Sequence, residues 1–411
     1  MEIKMTINSK FKNLLAVAIL SSFSSFVAVG AEEKIEKNNC LAPVATAAEA
    51  ELSFRDIPLL KKAYIDAAPA DRNDGLVVGE LGLDGGKKDM IVKLAQEIAD
   101  GKHSNFDSLL IAQKGKLLFE SYYLRGRINL PHGQASATKT YTSMAVGRAI
   151  QLGYLTMADL DKPLVSFLKN LDPTKFVEGA EKITLHKAMT MRSGIRISEE
   201  QREEFEKNTA ALKGQGEVQV FLKHSAPITA ESQSFLYSYD PNLVMQVLDA
   251  VVPGTAKDFI KNELLGKMGI TNYHWRTGLS SLPSSGSGSS MTSRDMVKWG
   301  TLATNKGKWN GEQLVPEKFV TRAINKIVYM QNEDIFFTTD KVTNPGYGYY
   351  WWQADMKVGD KTYSTTSAQG GSGQMIILIE ELDLVVVTTV HRLEGNVLQI
   401  AAERILPAFI Q

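Results

Sequence analysis

The chain has one cysteine in 411 residues, Cys40, so it can form no internal disulfide and no multi-thiolate metal site. It also lacks an excess of either charge, with 46 Lys and Arg against 46 Asp and Glu. Binding a phosphate backbone takes a basic excess or a basic stripe, so nucleic acid is excluded as a partner. The acidic run from Ser198 to Lys207 reads as a solvated face. The six histidines are scattered, with no pair at metal-ligand spacing, which leaves no metal or other cofactor to expect. There is no Gly-x-Ser-x-Gly elbow, no phosphate-binding glycine loop and no His-Glu-x-x-His helix. These absences remove the ordinary α/β-hydrolases, the P-loop enzymes and the zinc peptidases.

What remains is ordinary globular material, 44% hydrophobic and 22% charged, long enough for one large domain or two to three smaller ones. Lys4, Lys10 and Lys12 precede an apolar stretch from Leu14 that continues to Val29, and small residues follow at Gly30 and Ala31. A basic region, a short apolar region and a small-residue site make a secretory signal over 1–31, hence a secreted or periplasmic protein. The apolar run is shorter than the ~20 residues of a membrane span, so no stable span is expected after cleavage. Residues 32–69 read as an N-terminal arm, loose over 32–50, with Cys40 an exposed thiol.

From residue 70 on, periodicity gives the outline. Asp89–Asp100 has helical spacing, with Ile91, Leu94 and Ile98 on one side. Ser108–Gln113, a Lys114-Gly115 turn and Lys116–Tyr123 spell a hairpin. Tyr141, Met144, Ala145, Ala149 and Leu152 recur at helical spacing. Residues 156–290 read as mostly helical and end in a Ser/Gly-rich loop, Ser280–Ser290. Strands are expected again at Tyr347–Trp352, Met375–Ile379 and Leu384–Val390, and a last helix at Asn396–Ile405. The class is therefore α/β in the α+β sense. An antiparallel sheet flanked by helices is built from both chain ends (about 70–155 and 291–411), around a helical insertion.

One pattern carries chemistry. In Ser-x-x-Lys at the start of a helix, serine and lysine share a face one turn apart, so a neutral lysine can take the serine proton. There are three matches. Ser9/Lys12 falls in the signal, Ser166/Lys169 on what reads as an ordinary amphipathic helix, and Ser136/Lys139 opens a helix after a polar loop.

Ser136-Ala137-Thr138-Lys139-Thr140 resembles the first box of the class C β-lactamase-like serine hydrolases. That superfamily includes class C β-lactamases, DD-peptidases, family VIII carboxylesterases and 6-aminohexanoate-dimer hydrolases. Ile183–Gly194, Met291–Met296 with Trp299-Gly300, Tyr347–Trp352 and Gly370–Gln374 resemble further segments of that family, in order, from about residue 70 to the C-terminus. The resemblance implies a β-lactamase/transpeptidase-like fold and a catalytic tyrosine. Tyr237 in Phe235-Leu236-Tyr237-Ser238 matches best, and Tyr239 stands where the family often has Asn, with Asn242 three residues on. For the third box, Gly371-Ser372-Gly373 is the alignment, as a substrate-binding edge. The amides of Ser136 and Gln374 are then the implied oxyanion hole. No cation is present there to grip a substrate carboxylate, which favours an ester or neutral amide. The expected function is an exported serine hydrolase acting through an acyl-enzyme on esters or small amides. A β-lactamase or D-amino-acid peptidase is the first alternative, and a non-hydrolytic ligand- or peptidoglycan-binding relative the second.

Overall fold

The computed structural model describes residues 41–392 and 396–410. The expected signal and Cys40 lie outside them. Ten strands make the main sheet. In chain order they are β1 (Tyr64–Asp66), β2 (Val77–Val78), β3 (Asn105–Gln113), β4 (Lys116–Tyr122), β5 (Val328–Tyr329), β6 (Val342–Tyr347), β7 (Trp352–Val358), β8 (Lys361–Gly370), β9 (Gln374–Ile379) and β10 (Leu384–Arg392). Their spatial order is β1-β4-β3-β10-β9-β8-β7-β6-β5, antiparallel throughout, with β2 added parallel to β4.

The β3–β4 hairpin turns on Lys114 and Gly115, both with positive φ (50° and 74°), the signature of a type I′ turn whose twist matches its strands. β10 then pairs along β3, setting Val386 opposite Ile111 and Leu384 opposite Gln113. The sheet is thus closed at its centre by the two chain ends, as the strand pattern predicts.

Helices flank it. Helix α1 (Lys88–Ala99) buries Ile91, Leu94, Ala95 and Ile98 on one side. It is tied to the C-terminal helical run, where Arg404 bonds Glu97 and the Lys87 amide donates to the Ala408 carbonyl. Asn396 caps that run by accepting from the amides of Leu398 and Gln399. Helix α2 (Thr138–Gln151) is buried along nearly its whole length, and helix α3 (Asp240–Val251) packs beside it. Helix α4 (Ser293–Thr304), capped by Thr292, lies on the sheet, with the Ser293 and Thr389 hydroxyls each 2.7 Å from that of Ser108. Its Arg294 bonds Glu120 of β4 at 2.8 Å and Asp74 at 2.6 Å, a buried charge network joining helix to hairpin.

Three local expectations change. Tyr347–Trp352 is not a strand but the corner between β6 and β7. The Gly348 amide bonds the Trp351 carbonyl, Tyr350 has φ +66°, and a Cβ on Gly348 would lie 2.1 Å from the Ala323 carbonyl oxygen. Ser166 lies in a 3-10 turn, its hydroxyl given to Pro163, and not on a regular helix. The described part of the expected loose arm is docked. Ala42 and Ala45 are buried, Asn129 bonds both the amide and the carbonyl of Ala45, and β1 is a strand of the sheet.

Candidate active site

Ser136 sits in a one-turn 3-10 segment, Ala135–Ala137, that leads into α2. Ala135 is held at φ +46°, a region alanine rarely adopts, so surrounding bonds must fix it. Thr138 Oγ1 donates to the Ala135 carbonyl at 2.7 Å and meets Ser289 Oγ at 2.8 Å. The Gln134 amide donates to the Ser289 carbonyl, and Tyr141 Oη to Gln134 Oε1. Ser289–Met291 is the middle strand of a small sheet with His132–Gly133 and Tyr273–Trp275. The turn is thus clamped from both sides.

The turn brings Lys139 Nζ to 3.0 Å from Ser136 Oγ. Nζ also donates to the Gly286 carbonyl at 2.7 Å, and no carboxylate pairs with it among the described residues. Lys139 is 6% exposed, and burial pushes its ammonium down to about 7. Gly286 belongs to the Ser280–Ser290 loop, which composition marks only as a loop. A backbone acceptor leaves no side-chain signature, so this contact could not be read from the sequence.

The two candidate tyrosines separate. Tyr237 lies with its ring centroid 4.5 Å from Lys139 Nζ and stacks on Trp352 at 5.6 Å. Burial raises its phenol to about 12, and a hydrogen bond with Ser136 acts the other way. The residue keeps 40% of its surface open, while its hydroxyl end is turned to Ser136. Tyr239 packs on Phe221 and begins α3, away from this cluster.

The loop carrying Tyr237 is anchored by the Ile183–Gly194 segment. Buried Asp240 accepts from the Ser193 amide (3.0 Å) and hydroxyl (2.6 Å), and the Leu236 amide donates to the Met191 carbonyl. Asn242 does not reach Lys139. Its amide donates to Glu217, and its carbonyl accepts from Ser285, one residue before Gly286.

The third-box assignment is corrected. Gly371-Ser372-Gly373 form the turn between β8 and β9, and Gln374 pairs with Gly370 inside the sheet. Gln374 is thus tied to the end of β8. The edge beside the nucleophile turn is the end of β8. β7 begins opposite Ser367, so residues 368–370 have no strand partner on that side. A Cβ on Gly370 would lie 2.2 Å from the Gln134 carbonyl oxygen. Gly370→Ala must therefore push β8 off the turn. We expect a stability cost of about 1–3 kcal/mol and a loss of roughly 10–100-fold in kcat/KM, read by urea denaturation and ester turnover. Unchanged turnover would show that this approach does not set the site.

Trp352 stacks on Tyr237, and Trp351 is buried in the β6–β7 corner. Among the described residues no group of three or more His, Cys, Asp or Glu is arranged to hold a metal ion, and no helix is long and apolar enough to cross a membrane.

An antiparallel sheet flanked by helices, with a Ser-x-x-Lys turn at the free end of one strand, is the architecture of β-lactamases and their relatives. A sequence profile of the Beta-lactamase family matches residues 93–408, and the chain belongs to that family of hydrolases. Solved structures share the fold at low identity. A class C beta-lactamase is 14% identical, over 79% of this chain and 95% of its own, with TM-score 0.55. EstCE1, a hydrolase with promiscuous acyltransferase activity, is 13% identical over 76% and 97%, with TM-score 0.56. An octameric penicillin-binding protein homologue from Pyrococcus abyssi is 16% identical over 74% and 73%, with TM-score 0.53. No curated protein matches the sequence.

Proposed function

We propose that the protein is an exported serine hydrolase that cleaves carboxylic esters or small amides through an acyl-enzyme. The observation that carries this is the 3.0 Å contact between Ser136 Oγ and a buried Lys139 whose amine is close to neutrality. Ser136 attacks the acyl carbonyl while Lys139 takes its proton, and the Tyr237 hydroxyl passes a proton to the leaving group. The Ser136 amide and a backbone donor from the free 368–370 edge of β8 hold the oxyanion. Water then attacks the acyl-enzyme and releases the acid. The β8 end and the following turn, Ser367–Gly373, carry no cation, which favours esters and neutral amides over β-lactams and peptide carboxylates. Export rests on the pattern of residues 1–31.

A p-nitrophenyl ester is expected to turn over faster than nitrocefin; the reverse order would move the assignment to the β-lactamase alternative. The pH dependence follows from Lys139. Below about 7 the amine is protonated and cannot act as base, so kcat/KM rises with pH and levels off above that value. Tyr237, at about 12, stays a phenol throughout and adds no falling limb. A profile that is flat from pH 5 to 9 would rule Lys139 out as the base.

A further inference from the structure

A cavity of about 520 Å³ lies against His132 and Gly133, and Ser136, Lys139 and Tyr237 do not line it. Its walls include Arg55, Arg125, His132, His391 and Gln374, with Phe54 as the apolar side. The arm supplies Phe54 and Arg55, the sheet supplies Gln374 and His391, and Arg125 follows β4.

The charges do not balance. Asp107, fully buried, is the carboxylate at this cluster among the described residues. It accepts from His132 Nε2 at 3.3 Å, from His391 Nδ1 at 3.0 Å and from the Arg125 backbone amide at 3.1 Å. Burial works to raise its carboxyl, but the two histidine hydrogen bonds outweigh that and hold it below the usual carboxylate range. His132 Nδ1 meets the Gly133 carbonyl at 3.1 Å, so both nitrogens of this ring face acceptors. His391 donates its Nδ1–H to Asp107 and presents Nε2 to Arg125 Nη1.

Two guanidinium groups line the same cavity, those of Arg55 and Arg125. Arg125 Nε is held by the Arg55 carbonyl at 3.2 Å, and neither arginine has a carboxylate partner among the described residues. Gln374, on the same wall, is 6% exposed, and its Oε1 is buried without a hydrogen-bond partner.

We propose that this cavity is a binding pocket for a small organic carboxylate, gripped by Arg55 and Arg125, with its apolar portion against Phe54. A guanidinium fork matches a carboxylate in two parallel hydrogen bonds. The Phe54 ring, edge-on to His132 at 4.5 Å, supplies a wall that a bare inorganic ion would not use. The proposal does not depend on the hydrolase reading.

The test is calorimetric titration of the full chain with benzoate at fixed ionic strength, with inorganic phosphate in parallel. Saturable benzoate binding is expected, equal in wild type and Ser136→Ala, and weakened about tenfold or more by Arg125→Gln. Arg55→Gln should weaken it likewise. Arg55 is exposed, so this second variant keeps the test decisive if the half-buried Arg125 cannot be replaced without unfolding. Absence of saturable binding, binding that both variants leave unchanged, or binding lost in Ser136→Ala would each overturn the proposal. Phosphate binding in the absence of benzoate binding would overturn the carboxylate class.

Discussion

Ser136→Ala is expected to lose esterase turnover by about 10⁴–10⁶-fold, the scale at which removal of a serine nucleophile acts elsewhere. The same substitution should abolish the single adduct that a fluorophosphonate probe leaves on the wild type, read by intact mass. The reason is geometric. Clamps through Thr138, Ser289 and Gln134 hold the turn, and Lys139 contacts the hydroxyl it would deprotonate. Lys139→Ala should cost a comparable factor, and the double variant little more than either alone, because serine and base act as one unit. Labelling that survives Ser136→Ala would mean that another serine is the nucleophile. If wild type and variant both remain unlabelled and inactive, the non-hydrolytic reading takes over.

The second large effect is on stability. Arg294→Met should destabilise the fold by about 3–5 kcal/mol, a large share of the 5–15 kcal/mol typical of a whole domain. Glu120 is fully buried in β4, and Arg294 Nη1, 2.8 Å away, is its ion-pair partner. Its other oxygen, Oε1, has no hydrogen-bond partner, so the carboxylate has no second support when the guanidinium goes. Burial already raises the Glu120 carboxyl, and loss of Arg294 must raise it further. The companion experiment is Arg294→Met with Glu120→Leu. Removing both charges should recover much of the loss, because an apolar pair of similar volume avoids the desolvation cost. Urea denaturation of the wild type and the two variants decides it. A single variant within 0.5 kcal/mol of wild type would mean that the network carries no weight.

Much of the fold was legible because its strongest elements are local. The hairpin at Lys114-Gly115 announces itself through turn chemistry. The apolar run Leu384–Val387 that opens β10 does so by its need to be covered on both faces. Ser136 and Lys139 were legible for the same reason, since three residues along a helical turn fix their contact.

The features that went unread depend on distant parts of the chain. Tyr347–Trp352 has the aromatic content of a strand, but close approach of Gly348 to the Ala323 carbonyl makes it a corner. The free edge of β8 exists because β7 starts opposite Ser367, a matter of register between strands. The Tyr237/Tyr239 choice turned on which ring the loop aims at Lys139, and composition is silent on direction. The alanine-rich arm reads as loose because small side chains give no periodic signal, yet small size is what lets Ala42 and Ala45 be buried.

The closure of the sheet by the two chain ends has a consequence for how the molecule is made. The central pair Ile111 and Val386 is separated by 386 − 111 = 275 positions of chain. Contacts this remote form late, because the loop-closure entropy must be met before they contribute. β8, whose free end borders the nucleophile turn, is joined to the early hairpin only through β9 and β10. The edge that borders the nucleophile turn therefore has its place only once β10 has paired along β3, so its formation waits on one of the most remote pairings in the sheet.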